Sequence, residues 1–319
     1  MYHDVNSLRS STITFAKTKD MTILEFLREF PDNDSCRLHF RLQREQQGVS
    51  CKHCGCTKHY WLQKKWQWQC SACGFRTTLR SGTIMENSNL SFHTWYTCMA
   101  FMTFSKKGIS AMEMQRQLGH KRWETVWKLM HKIRTGMGKR DSLYQLSGSV
   151  EFDEGYFEQA TSEGIKLKRG RGSQRQSKVV VMAESTPLED LETGQTSSHC
   201  RYFKMKTLNS HDKSETNGLV VEYIHQKAII FSDKSTSYND FENLVEMHIT
   251  EKSTKETTKT TLKWVHITIS NDKRNLLGVY HMIKGKYLQA YLDEFCYKLN
   301  RRYFGKHLFD RLVIATIGY

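Results

Sequence analysis

Four cysteines supply the first recognisable chemistry. Cys51, Cys54, Cys70 and Cys73 read Cys-x2-Cys, fifteen residues, Cys-x2-Cys, and two such tight turns bring four thiolates into the tetrahedron that Zn²⁺ favours. Gly55 and Gly74 follow the pairs, where a positive φ is wanted. Between them, 60-YWLQKKWQWQC-70 alternates aromatic residues with Gln and Lys as a strand does. The expectation is a zinc ribbon, structural in role because the metal supplies folding energy that so small a core lacks. Cys56 and His53 are spare donors close by, outside a shell that four thiolates already complete.

The second chemistry is acidic. The run 150-VEFDEGYFE-158 sets Glu151, Asp153 and Glu154 among apolar residues and reaches Gly155, while 228-AIIF-231 leads straight into Ser232 and Asp233. Strand alternation puts Glu151 and Asp153 on one face and cannot choose between them. The elements that must position these acids choose for it. Strands near 149–153, 178–185 and 200–208, a helix across 214–226 and a strand at 228–231 follow in the order that opens an α/β ribonuclease-H-like fold. In that fold the first and fourth strands lie side by side in parallel, which unites Asp153 with Asp233 although 80 residues separate them. Two Mg²⁺ or Mn²⁺ about 4 Å apart, bridged by such carboxylates, activate an attacking oxygen and stabilise a leaving oxygen in phosphodiester chemistry. Mg²⁺ takes hard oxygen donors, so a neutral Asn oxygen could serve as a third ligand.

The rest of the chain suits a polyanionic partner. It has 319 residues, 38% hydrophobic, with 48 Lys and Arg against 33 Asp and Glu and a formal charge of +15, an excess that favours nucleic acid through counterion release. No apolar run of about 18 residues and no signal-like start is present, so neither membrane insertion nor export is expected. No G-x-x-x-x-G-K-[ST] occurs, and ATP dependence is not indicated. After 86-ENSNLS-91, apolar residues recur at helical period through Phe92, Trp95, Met99 and Met102. Ser110 and Glu113 form a capping box, Gly119 can end that short helix, and a second helix from about Arg122 sets Val126, Leu129, Met130 and Ile133 against Lys128, Lys132 and Arg134. A short helix, a Gly-containing turn and a basic helix predict a helix-turn-helix with Lys128, Lys132 and Arg134 toward DNA. The run 166-KLKRGRGSQRQSK-178 reads as a backbone clamp through Lys166, Lys168, Arg169 and Arg171. The fold class is therefore multidomain: a helical lead-in at 1–45, a zinc ribbon at 46–84, a helix-turn-helix-like region at 90–136, a Gly/Ser-rich boundary at 136–149 and the α/β ribonuclease-H-like domain at 147–313. The stretch 251–263 reads as a flexible connection. Cys200 and Cys296 read as small buried hydrophobes, and His225 and His248 as ordinary surface or core histidines.

The motifs CKHC and CSAC, FDEGYF, FSDKSTSY, 264-WVHITISNDKRNLLGVYH-281 and 286-KYLQAYLDEFCYKLNRR-302 together resemble the bacterial insertion-sequence transposases of the ISXO-type group, over residues 20 to 313. That group joins a zinc ribbon and helix-turn-helix to a DDE-type catalytic domain, often with Asn in place of the last Glu. The resemblance implies Asp153 and Asp233 as the first two catalytic metal ligands, Asn271 as the third, and Lys273 and Arg274 as contacts to a DNA end. It implies double-stranded DNA as partner, both as inverted-repeat ends and as target, a homodimer or larger assembly that pairs two ends, and a cytoplasmic, nucleoid-associated location. His266, Asp272 and Glu294 remain alternatives for the third position, with Glu294 expected on a polar, solvated helix flank. Two rival functions stay open: a sequence-specific regulator whose catalytic half has decayed, and a metal-dependent nuclease without strand transfer.

Overall fold

The structure is a computed structural model that describes residues 21–161, 173–189, 196–209, 213–252, 254, 260–281 and 283–318. Two short helices lead in, α1 (Ile23–Glu29) and α2 (Asn33–Gln47), each opened by a capping box at Thr22 and Asp32. A small antiparallel sheet follows in the order β1 (His59–Leu62), β2 (Gln67–Cys70) and β3 (Arg76–Thr78). It leans on α2, whose arginines at one helical face cover its tryptophans: Arg41 lies 4.1 Å from the Trp61 ring, Arg44 5.1 Å from Trp68 and Arg37 5.5 Å from Trp66. Trp68 also donates its indole N–H to Glu45 at 3.0 Å. Thus the aromatic alternation in this segment serves packing against a basic helix.

Helices α3 (Phe92–Phe104), α4 (Ala111–Leu118) and α5 (Trp123–Ser142) come next. Ser110 accepts the N–H of Glu113 at 3.1 Å, and Gly119 closes α4 in the left-handed conformation, φ +60°. The expected boundary at 136–149 differs from what is observed, because α5 continues through 136–142. Its two glycines lie where neighbours come close: a Cβ on Gly138 would collide with the Asp293 carboxylate, and one on Gly136 would meet Ala315 O at 3.4 Å. These glycines are packing residues inside a helix rather than a linker.

The larger sheet carries β4 (Ser149–Glu158), β5 (Gln176–Glu189), β6 (Thr196–Leu208), β7 (Ile229–Asp233) and β8 (Met247–Glu251) in the order β6-β5-β4-β7-β8. The β4–β5 and β5–β6 pairs are antiparallel; β4–β7 and β7–β8 are parallel. Helix α6 (Lys213–Tyr223) covers one face over Val150, Phe152, Val180 and Met182. Helices α7 (Lys263–Tyr280) and α8 (Gly285–Asn300) cover the other over Phe157, Val179, Val181 and Ala183. Burial on both faces is why β5 reads as an uninterrupted VVVMA run. Strand β8 and its parallel pairing with β7 are additions to the expected order, since 247-MHITE-251 is short and half polar.

The last helix, α9 (His307–Ile317), crosses back and puts Phe309, Leu312 and Val313 into the core formed by α1 to α5. Buried polar contacts bind α5 to the sheet domain as well. Asp141 pairs with Arg301 at 2.6 Å, Asn300 donates to Asp141 at 3.2 Å, and the buried Lys204 amine bonds to the Asp141 carbonyl.

Candidate functional site

The two ends of the chain's chemistry are far apart in character. In the small sheet, the sulfurs of Cys51, Cys54, Cys70 and Cys73 all lie within 4.8 Å of one another, with Cys51 to Cys73 at 3.6 Å and Cys54 to Cys70 at 3.5 Å. Four thiolates at about 2.3 Å from one Zn²⁺ would have sulfurs roughly 3.8 Å apart, so the donor set fits. The turns that achieve this are local: Gly55 donates to Cys51 O and Gly74 to Cys70 O, with φ +73° and +72°. Cys56 instead contacts Lys58 O, and His53 stacks on Phe75, so neither spare donor joins the cluster. This four-cysteine cluster is compatible with a structural zinc site.

In the middle of the large sheet, Phe152 pairs with Ser232 across β4 and β7. The next residues on each strand are Asp153 and Asp233, on adjacent parallel strands about 4.8 Å apart. Burial pushes the Asp153 carboxyl up to about 6, and the neighbouring Asp233 charge acts in the same direction. Asp233 Oδ1 is buried and has no hydrogen-bond partner, an uncompensated acceptor of the kind a cation would satisfy. One strand further, Glu251 is in register with Asp233 and accepts from the Thr261 hydroxyl at 2.7 Å.

The three acids of β4 have separate tasks. Glu151 accepts the N–H groups of Trp264 at 2.7 Å and Val265 at 3.0 Å, which caps α7, whose own N-cap residue Leu262 makes no side-chain hydrogen bond. Burial raises the Glu151 carboxyl to about 7 against these two bonds. Glu154 lies on the opposite face, where it accepts the Tyr238 hydroxyl at 3.0 Å. Only Asp153 is left facing the α7 side beside β7. Gly155 lets α7 come close, since a Cβ there would meet Phe157 at 3.0 Å and Ile269 at 3.3 Å.

Helix α7 presents its residues unequally. Val265, Thr268, Ile269, Asp272 and Leu276 form the buried stripe. His266, in the first turn, brings Nε2 to 3.4 Å from Asp153 Oδ2, and burial holds its imidazole below the ordinary value. Asn271 is exposed and its carbonyl oxygen accepts from Arg274 at 2.7 Å. Asp272 is fully buried and burial raises it to about 8.

Glu294 corrects the sequence expectation: it is 3% exposed rather than solvated, and its carboxylate accepts from Arg134 Nε at 2.8 Å. Arg134 is corrected with it. At 1% exposure, with its guanidinium 4.1 Å from the Tyr291 ring, it joins α5 to α8 and cannot reach DNA. Helical period in fact sets Arg134 four residues after Met130 and three before Met137, on the buried stripe of α5 and away from Lys128 and Lys132, so its charge rather than its position suggested DNA.

Of the other expected DNA contacts, Lys128 and Lys132 line a cleft of about 690 Å³ together with Lys121, Arg122, Ser88 and Trp95. No Asp or Glu is among its described lining residues. Lys132 donates to Glu86 O at 2.8 Å. Lys121 and Arg122 are outside the expected set, and their place in the turn after Gly119 is the signal that could have found them. Lys273 and Arg274 are exposed on α7. Lys166, Lys168, Arg169 and Arg171 lie outside the described residues.

Asp153 and Asp233 thus stand on adjacent parallel strands of a mixed α/β domain. Residues 145–300, just under half of the chain, are similar to the family described as the ISXO2-like transposase domain, and the cluster of four cysteines precedes them. Among solved structures, the Mos1 strand transfer complex is 10% identical over 70% of this chain and 78% of that chain, with a TM-score of 0.26. The Mos1 transposase paired-end complex with left transposon end is 11% identical over the same shares, with a TM-score of 0.28. At those scores the overlap carries no argument about this chain. No curated protein matches it. Among the described residues, no helix is long and apolar enough to cross a membrane.

Proposed function

We propose that the protein is a DNA transposase whose ribonuclease-H-like domain hydrolyses a phosphodiester at an element end and joins the freed 3′-hydroxyl to target DNA. The observation that carries this reading is the juxtaposition of Asp153 and Asp233 on neighbouring parallel strands, with a buried, unpaired Asp233 oxygen, inside a transposase-like domain. Asp153 and Asp233 would hold Mg²⁺ or Mn²⁺, which supplies charge stabilisation to the attacking and leaving oxygens. The chain's own part is to hold both carboxylates on a rigid sheet, to orient α7 over them through the Glu151 cap, and to offer Lys273 and Arg274 on the exposed side of that helix to phosphates. In the sequence-based assignment Asn271 is the third ligand of this centre.

Helices α4 and α5 act in this proposal as a helix-turn-helix, with the Lys121, Arg122, Lys128 and Lys132 cleft against the DNA backbone. The overall charge of +15 supports a polyanionic partner, and pairing two element ends calls for a homodimer or larger assembly. In this reading the protein works in the bacterial cytoplasm, on the nucleoid. The test is cleavage and joining of a labelled element end with Mg²⁺ or Mn²⁺. Asp153→Asn and Asp233→Asn should keep end binding and lower strand transfer by at least about 1000-fold, the scale lost when a catalytic electrostatic group is removed. Wild-type binding without any cleavage would favour the regulator, and cleavage without joining the nuclease.

A further inference from the structure

We propose that the outer face of the β1–β3 sheet reads DNA sequence, with Gln67, Gln69 and Arg76 reaching base edges in the major groove of a duplex. DNA as the partner is taken from the function proposed above; what is added is a base-reading surface apart from the α4–α5 cleft. The strand register gives this sheet two unlike faces. Trp61 pairs with Trp68 and Trp68 with Thr77, and both tryptophans of this row lie under the arginines of α2. The alternate residues point the other way. Tyr60 pairs with Gln69 and Gln69 with Arg76, while Gln67 pairs with Leu62 on one side and Thr78 on the other. Tyr60, Arg76 and Thr78 are exposed, and the two glutamines are half-buried between their neighbours.

Charge and chemistry both favour a nucleic-acid occupant for this face. Residues 46–84 include Lys52, Lys58, Lys64, Lys65, Arg76 and Arg80 and no Asp or Glu. The segment therefore stays positive even beside the net charge of about −2 that four thiolates and one Zn²⁺ carry, and it attracts a phosphate backbone. Among the described residues, no hydrogen bond engages the side chains of Gln67, Gln69 or Arg76. The arginines of α2 are by contrast committed: Arg37 to Asp34, Arg41 to Glu45, and Arg44 to the carbonyls of Thr78 and Leu79. Arg and Gln are the side chains whose paired polar atoms match the major-groove edges of guanine and adenine. Two strands about 4.8 Å apart fit a groove about 12 Å wide, so β2 and β3 can enter together with Tyr60 of β1 at the rim. Gln67 and Gln69 are about 6.8 Å apart along β2, close to two base-pair steps of about 3.4 Å. The face is also rigid, because the inner row is fixed to α2 by Trp68 donating to Glu45 at 3.0 Å, and readout needs side chains held on a firm support.

The experiment uses the full-length, zinc-loaded protein and a duplex library with a randomised centre, read as the base preferences of the bound fraction. Wild type should enrich a motif. Arg76→Ala and Gln69→Ala should each relax the preference at one or two positions by at least about fivefold, and Gln69→Ala should leave the salt dependence of binding unchanged. Lys128→Ala, in the cleft, should instead weaken binding to all sequences alike and lower the salt slope by about one, with the motif intact. Unchanged zinc content and tryptophan emission confirm that the sheet is folded in each variant. The wild-type motif persisting in both Arg76→Ala and Gln69→Ala, or a uniform loss of affinity in Gln69→Ala, would overturn the proposal, as would a wild type that binds duplexes without enriching any motif. A wild type that binds no duplex removes DNA as the partner, and this surface with it.

Discussion

The four-cysteine cluster and the Asp153–Asp233 pair are both meeting points of two chain segments, yet they are closed to different degrees. At the first, every donor faces another donor, the turns are tied by their own backbone bonds, and the neighbouring tryptophans lie under Arg37, Arg41 and Arg44. At the second, a carboxylate oxygen is buried without a partner, and helix α7 leaves one side of the pair uncovered by Asn271, Lys273 and Arg274, which face solvent. A closed shell suits a metal that holds a fold, and an open one suits a metal that must also admit substrate.

The largest effect should come from opening the closed site. Removing zinc with a chelator, or replacing Cys51 with Ser, should unfold the segment around β1 to β3, because metal binding of this type contributes on the order of 10 kcal/mol. Zinc release together with a red shift of tryptophan emission checks it, since Trp61, Trp66 and Trp68 lie in that segment. A ribbon that keeps its tryptophans buried without metal would break the contrast.

Next in size is the seam between the regions. Arg134→Met leaves the buried Glu294 carboxylate with only Lys298, 4.0 Å away, and should cost about 3–5 kcal/mol, with most of it recovered in the Arg134→Met/Glu294→Met double variant. Denaturant unfolding of the single and double variants measures this. A single transition for wild type would also show that α5, α8 and α9 weld the two regions into one cooperative unit.

The third effect depends on pH. The Asp272 carboxyl is raised to about 8 in the fold from an ordinary value near 3.8, because burial opposes its charge. The folded state therefore holds this proton more tightly than the unfolded state. The associated stability is complete below about pH 4 and is lost as pH rises toward 8, by up to about 1.4 kcal/mol per unit. Asp272→Asn should remove that slope, so that the variant gains on wild type between about pH 5 and 8 in urea unfolding. Parallel curves for the two proteins would mean that Asp272 is as comfortably paired as the scaffold groups.

Legibility in the sequence tracked how local each feature is. The four-cysteine cluster, the Ser110 cap, the Gly119 stop and the first four strands of the large sheet depend on neighbours a few residues away or on simple alternation, and were readable. Strand β8 was not, because its stability comes from β7 alongside it rather than from its own composition. Glu294 misled because helical period separates a polar from an apolar side without saying whether the polar side meets water or an opposite charge, and Arg134 because its charge was weighed above its place on the buried stripe.

Residue types and spacing were enough to read a four-cysteine cluster ahead of an α/β domain with Asp153 in its first strand and Asp233 at the end of its fourth, although the first strand runs on past the expected end at 153 to Glu158. Which acid does what was settled only in three dimensions. Glu151 and Asp153 have the same parity and nearly the same neighbours in sequence, but α7 arrives more than a hundred residues later with no cap of its own and takes Glu151 for that purpose. Asp153, which accepts the Glu154 N–H at 2.7 Å, is left beside β7, and the same docking carries His266 to 3.4 Å from it. Buried backbone N–H groups must find an acceptor, and satisfying those of α7 sorted the carboxylates of β4 into one that builds and one that faces the site.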